Sequence, residues 1–269
     1  MSVKNNLEII LNELKFNFEK RKNNQMGKTY STEELVSRWE DQRYMKNLMG
    51  KYANCMILNR EHEIFDRFWS KKTENLCLSF NDGAYKGAEA IRAYYEAEYR
   101  RNDLVAHLLQ KRFPEKLGSL SDEELYGIGP FKVKPMSCPI IEIAEDHQTA
   151  KGLWYCQGAY NKVEGCGPVA RWTWGYFAVD FTYEDDAWKI FNLMYVNDVD
   201  CICGQSWGKE EKPYPPLPEF QPLEEFKYPE YSVKKTIRPL YAPDRVLTKA
   251  PEIPVPYRTF AETFSYGIS

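Results

Sequence analysis

The residue types able to move protons are few and scattered. Only three histidines occur, His62, His107 and His147. His147 falls in a predicted turn and His62 on a short charged helix, so both read first as solvated. His107, in DLVAHLL, stands among apolar residues. It reads either as a base closing over a cavity mouth or as an ordinary buried helix residue. Asp41 precedes Tyr52 by three helical turns and points either into a cavity or into solvent. Asp180 and Asp198 fall in or near strands, where an inward carboxylate is costly unless paired. Cys156 lies mid-strand without a basic neighbour and makes a poor nucleophile. The chain holds no Ser–His–Asp arrangement, no Gly-rich phosphate loop and no metal-ligand spacing. Among its seven cysteines the only close pair is Cys201-x-Cys203, which matches no zinc pattern.

Periodicity gives the elements that must position these groups. Residues 1–28 carry one apolar-periodic stretch, read as a peripheral helix. Ser31 and Glu34 form a capping box that opens a long helix over Tyr30–Met56. Met45, Met49, Tyr52 and Met56 make one stripe on it, either a plain core stripe or a pocket wall of adaptable side chains. A short helix at Glu61–Trp69, a hairpin at 76–85 turning at Asp82-Gly83, and a helix at Gly87–Tyr99 follow. Residues 101–130 read as an insertion or lid. From Met136 the period is two. Strands at Cys138–Ala144, Thr149–Tyr160, Arg171–Thr182 and Trp188–Val199 predict a bent antiparallel meander. Trp172, Trp174 and Tyr176 share one face of their strand, and Trp154, Cys156 and Gly158 one face of theirs. Helices first and meander last make an α+β protein.

The 269 residues carry a net charge of −3, with 43% hydrophobic and 28% charged residues. That balance excludes whole-chain disorder. There is no basic stripe to grip nucleic acid, and no apolar run of the roughly 18 residues a membrane span needs. The N-terminus lacks an uninterrupted apolar leader segment, so a cytoplasmic protein with free thiols is expected. Aromatics reach 15%, with 19 Tyr and 7 Trp, suiting either a pocket for flat apolar ligands or a well-filled core. Eleven of the 16 prolines and six tyrosines lie from Pro213 onward. This tail reads as an extended arm laid over the domain or over a partner subunit.

The segments WEDQRYMKNLMGKYANCM, NDGAYKGAEAIRAYYEA and DFTYEDDAWKIFNLMYV, in that order, resemble the SnoaL-like branch of the NTF2-like superfamily. That branch includes bile-acid 7α-dehydratase, scytalone dehydratase and ketosteroid isomerase. The resemblance covers about residues 30–200. It implies a cone-shaped domain, placed at 30–208; the 1–29 extension, the 101–130 insertion and the 209–269 arm lie outside the resemblance. It also implies an apolar cavity between sheet and helix, and chemistry without metal or organic cofactor. GKYANC resembles the GKY segment of the family's dehydratases, so Tyr52 is implied to face the cavity as acid or oxyanion donor. Trp174 and Tyr195 are implied to point inward.

Met49, Met56 and Trp154 complete the expected wall, and Arg171 and Asn197 offer polar contacts or lie at the surface. The family's His falls near Met136 or Ser137, its acidic partner near Gly158, and its carboxylate after the GKY segment near Ile57. None of these positions carries the expected group, so a base must come from elsewhere; His107 and Asp41 are the candidates beside Tyr52. Two functions follow. One is a dehydratase-like lyase or isomerase for a small apolar, cyclic, aromatic or steroid-like molecule. The other is a non-catalytic binding or assembly module. The resemblance implies a homodimer or higher homo-oligomer, which the Pro- and Tyr-rich arm would reinforce if laid on a neighbour.

Overall fold

Ser31 N–H donates to Glu34 Oε2 at 2.7 Å and Glu34 N–H to Ser31 Oγ at 3.1 Å. This reciprocal cap satisfies two donors that a helix start otherwise orphans, and helix α1 runs from it over Thr32–Ile57. The computed structural model describes residues 29–125, 128–129, 131–207 and 215–268; the helix expected within 1–28 lies outside them. The chain divides into two compact units, Met1–Arg43 and Tyr44–Ser269. In the first, the Arg38 guanidinium lies 4.7 Å over the Tyr30 ring.

In the second unit, α1 buries Met45, Leu48, Met49, Tyr52 and Cys55, a stripe at three- and four-residue spacing. A 3-10 turn (Glu61–Glu63) and α2 (Ile64–Phe68) lead to the hairpin β1 (Cys77–Phe80) and β2 (Gly83–Lys86). Gly87, at φ 83°, takes a backbone conformation that favours glycine and opens α3 (Ala88–Arg112). The helix expected over 87–99 and the start of the expected lid are thus one helix. No Gly or Pro interrupts the sequence until Pro114, which begins α4 (Pro114–Leu117). α5 (Asp122–Leu125) follows.

The meander comprises β3 (Phe131–Val133), β4 (Met136–Ile143), β5 (Thr149–Glu164), β6 (Gly167–Glu184) and β7 (Ala187–Ile202). The sheet order is β3-β5-β6-β7-β1-β2-β8, with β4 also on β5 and β8 at Val233–Lys234. β1 runs parallel to β7, and β5, β6 and β7 pair antiparallel. This is the α+β arrangement that the periodicity predicts. Register shifts at Trp174/Gly175 and Asp180/Phe181 mark bulges that bend the long strands. Trp154, Phe177 and Tyr195 are cross-strand neighbours on the inner face. They belong to one core with Met45, Met49 and Tyr52.

The arm, with α6 at Gln221–Glu225, lies on its own domain. Phe220 and Leu223 pack with Val105, Leu108 and Leu109 of α3. β8 extends the sheet from β2. Ile237 and Tyr266 cover Leu153, Ala178, Met194 and Val196 on the outer face. The two strand carboxylates are both paired and both anchor the arm. Asp180 accepts from Lys151 Nζ at 2.6 Å, Asn192 Nδ2 at 2.9 Å, Ser265 Oγ at 3.1 Å and Tyr266 N–H at 2.8 Å. Asp198 accepts both Nε and Nη2 of Arg238, at 2.9 and 3.0 Å, and pairs with Arg245 at 2.9 Å. Among the described residues no helix is long and apolar enough to cross a membrane.

Candidate active site

A cavity of about 560 Å³ opens in the second unit between α1, α3, the inner sheet face and the arm. Its size suits one small molecule. Tyr52 of α1 and Tyr95 of α3 are both buried, and their hydroxyls lie 3.2 Å apart. Burial pushes the Tyr52 phenol well above its usual pKa, and the neighbouring Tyr95, Glu61 and Glu98 add to the effect. Burial raises Tyr95 too. Both therefore stay protonated and act as hydrogen-bond donors, not bases.

The helix α3 supplies a polar stripe to the same wall: Tyr94, Glu98, Arg101 and Val105, spaced by four, three and four residues. Strand β3 faces it with Lys132. The Lys132 ammonium lies 2.5 Å from Glu61 Oε1 and 3.6 Å from Glu98 Oε2, so two cavity carboxylates share one cation. Asn102 adds a contact to each Glu61 oxygen at 3.4 Å. The two carboxyls diverge. Burial raises Glu61, and Lys132 only partly offsets it. Burial also works against Glu98, but Lys132, the Tyr228 hydroxyl, Arg101 and Lys134 together hold it below its usual value. Tyr94 donates to Glu98 Oε1 at 3.4 Å. Two neighbouring carboxyls whose surroundings push their proton affinities apart form the usual raw material of acid–base chemistry.

Aromatic rings fill the remaining wall. Phe177 stacks on Tyr195 with centroids 4.4 Å apart and meets Tyr52 edge-on at 6.1 Å. From the arm, Tyr231 lies 4.9 Å from Tyr85, and Tyr228 stacks on Tyr94 at 6.2 Å. Tyr85 donates to the Pro229 carbonyl at 3.0 Å. The arm therefore closes one side of the cavity.

Of the residues named from sequence, Tyr52, Met56, Tyr195 and Asn197 line this cavity. Met49 is fully buried in the core, and Trp154 packs against Phe181 at 6.2 Å, away from the lining. Arg171 reaches the site through Asp200, whose Oδ1 it holds at 2.8 Å while Tyr160 donates to both carboxylate oxygens at 2.8 Å.

Three expectations need correction. Trp174 does not point inward: the register that turns Phe177 in sends Trp174 out, where it meets Trp172 at 6.0 Å and Trp207 at 5.3 Å. His107 neither caps the cavity nor is buried. It follows the lining residue Val105 by two positions, a turn of about 200° around the helix, and its Nε2 lies 3.3 Å from Asp122 at the surface. The cavity is not apolar throughout, because α3 and β3 bring charges into it. Asp41 lies on α1 within the unit ending at Arg43, whereas the lining is drawn from the second unit.

The sequence reading missed Tyr95, Glu61, Glu98, Lys132 and Lys134. The stripe Tyr94–Glu98–Arg101 and the alternation Phe-Lys-Val-Lys at 131–134 carried the signal. Gly158, where the resemblance placed an acid, has no room for any side chain. A Cβ there would lie 2.3 Å from Val133 O and 3.2 Å from Lys134 Cγ. Burial pushes the Cys156 thiol up to about 11, which rules out a nucleophilic thiolate at neutral pH. Among the described residues no cluster of three or more His, Cys, Asp or Glu could hold a metal ion.

No family model matches the chain, and no curated protein matches it. Solved structures similar to it include a protein titled as a putative scytalone dehydratase from Novosphingobium aromaticivorans. That one is 11% identical over 68% of this chain and 97% of the other, with a TM-score of 0.43. Hexachlorocyclohexane dehydrochlorinase LinA-type3 from Novosphingobium barchaimii LL02 is 12% identical over 66% and 98%, at 0.42. An NTF2-like protein with a cystatin-like fold from Novosphingobium aromaticivorans is 12% identical over 66% and 94%, at 0.37. At such identities and TM-scores these likenesses assign no activity to the chain.

Proposed function

We propose that the chain is a dehydratase-like lyase or isomerase, working without metal or organic cofactor on a cyclic, aromatic or steroid-like small molecule. The observation that carries this reading is the Tyr52–Tyr95 hydroxyl pair, 3.2 Å apart, in the same cavity as the ionised Glu98 carboxylate. Glu98 removes a proton from the carbon next to a substrate carbonyl. The C–H electron pair moves to form the enolate, and the negative oxygen accepts a hydrogen bond from Tyr52, a donor aimed at charge that develops only along the reaction. In a dehydration, the neighbouring C–O bond then breaks and the hydroxyl leaves as water with the proton held by Glu98. In an isomerisation, Glu98 returns the proton to a different carbon. Both paths balance without an oxidant or a second reactant.

The test is incubation of the purified protein with cyclic hydroxyketones, enones, phenolics and steroid acids, read by mass spectrometry. Loss or gain of water, or an isomeric product, supports the reading, and Glu98→Gln must then abolish turnover. A second reading, a non-catalytic binding module, is favoured by the filled Gly158 position, which leaves no place there for an acid. Tight retention without conversion supports it. A homo-oligomer remains a proposal: the arm's contacts could form equally in exchange with a second copy, and mass in solution across concentration reads this directly.

A further inference from the structure

The charged groups on the cavity wall are not all paired. Lys132 is shared by Glu61 and Glu98, and Lys162 lies 3.6 Å from Glu164. Asp200 is held by Arg171 and Tyr160. Lys134 also lines the cavity, but among the described residues no carboxylate forms an ion pair with it. Its ammonium lies over two rings instead, 4.4 Å from the Tyr195 centroid and 5.3 Å from that of Tyr160. The Tyr195 hydroxyl takes one of its donors, and an ammonium has three to give.

A second donor stands beside it. Asn197 is 9% exposed and lines the same cavity. Thr173 Oγ1 donates to its Oδ1 at 2.9 Å, which fixes Oδ1 as the acceptor and leaves the Nδ2 donors unspent by that bond. Thr173 also lies 3.3 Å from the Tyr195 hydroxyl, linking Asn197 to the ring beneath Lys134. Gly158 permits this arrangement, since any side chain there would displace Lys134. Lys134, Tyr195 and Asn197 thus present an ammonium, a phenol and an amide N–H. Phe177 connects this end to Tyr52 by successive ring contacts.

We infer that Lys134, Tyr195 and Asn197 form an anion subsite, and that the cavity's ligand is a ring compound bearing a carboxylate. The carboxylate sits on Lys134 and Asn197, the ring lies along Phe177, and the far end of the molecule meets Tyr52 and Glu98. The inference deepens the lyase reading by naming its substrate class, but the subsite itself rests only on the wall that binds. Charge-assisted bonds in such a place are the strong ones, and an uncharged ester offers them only a weak acceptor.

The experiment is calorimetric titration with matched pairs: 2-naphthoate and 1-cyclohexene-1-carboxylate against their methyl esters. The acids are expected to bind at least about tenfold more tightly than the esters, a gap of roughly 1.4 kcal/mol. In Lys134→Gln the preference is expected to vanish with ester affinity unchanged, and in Lys134→Arg it is expected to persist in part. Asn197→Asp keeps the acceptor for Thr173 and is expected to weaken acids alone, which covers the case of Lys134→Gln failing to fold. Equal binding of acid and ester, a preference that survives Lys134→Gln, or no binding of either overturns the subsite. Acid binding without any conversion would sink the lyase reading and leave the subsite standing. Conversion of neutral hydroxyketones with no preference for acids would do the reverse.

Discussion

The hydroxyls of Tyr52 and Tyr95 meet at 3.2 Å from two helices, 43 residues apart in the chain. Neither phenol has a basic partner there. Each is kept protonated by burial, and in the arrangement where Tyr95 donates to Tyr52 the Tyr52 proton is free to point into the cavity. Tyr52→Phe removes that proton and keeps the ring. For any substrate the protein converts, kcat is expected to fall about 10²- to 10³-fold, as for loss of one oxyanion donor. Stability should change by only about 1 kcal/mol. Paired turnover and urea-denaturation measurements separate the two effects.

Glu98 is held below its usual carboxyl range, so it is ionised throughout neutral pH. Activity that depends on it as a base should fall only as pH drops through that lowered value. Tyr228→Phe removes one of the groups that lower it, so the acid limb of the rate profile should move to higher pH. The sign is the same for stability: Glu98 contributes above its unfolded pKa of about 4.3 and loses that contribution as pH falls through its folded value. A rate profile unchanged in Tyr228→Phe would remove Glu98 from the base role.

Asp180 holds Lys151 in a fully buried pair while two arm residues, Ser265 and Tyr266, donate to the same carboxylate. Asp180→Ala leaves a buried ammonium without a counter-ion and should cost about 3–5 kcal/mol. Lys151→Met should cost less, because Asn192, Ser265 and Tyr266 still serve Asp180. Urea midpoints, together with protease cleavage of residues 240–268, read both the stability and the release of the arm.

His107 is raised above its usual value by the Asp103 carbonyl, with the Asp103 and Asp122 carboxylates adding to this. A raised folded pKa means that its stabilisation is present below the unfolded value of about 6.5 and lost as pH rises through the folded one. His107→Ala should therefore lower stability slightly at pH 5, by under about 1 kcal/mol for so exposed a pair. It should have no effect at pH 9. Turnover should be unaffected at either pH, in keeping with its distance from the cavity wall.

Gly158→Ala should destabilise the protein by about 1–3 kcal/mol through overpacking, because the new methyl meets backbone at Val133 O. The same change should weaken binding of ring acids more than of their esters, since the residue displaced is Lys134. A shift in thermal midpoint without that selective loss would detach Gly158 from the subsite.

The elements were legible where local chemistry alone dictates them. Ser31 and Glu34 fixed the start of α1, and strict alternation fixed β5 to β7 to within a few residues. α3 was read too short because Arg100, Arg101 and Asn102 lack apolar period, although helix formation there needs only the absence of breakers. Trp174 was turned inward by the resemblance alone, and a period of two could not correct it, because it gives which residues share a face, not which face is inner. The charged wall escaped because Lys132 and Lys134 look like an ordinary exposed strand edge until α3 and Glu61 are packed against it. Tyr228 and Tyr231 could be recognised as an arm, but no local pattern says that an arm closes a cavity.

That closure has a consequence for how the protein is made. Tyr228, Pro229 and Tyr231 line the cavity, yet they follow every other lining residue except Leu240 in the order of synthesis. A nascent chain that has already formed α1, α3 and the whole meander still presents an open trough, with Tyr85 and Tyr94 bare to solvent. Ligand recognition is thus deferred until translation passes β8, and a frameshift or a cleavage site near residue 225 would act as an active-site lesion in a protein whose meander is intact.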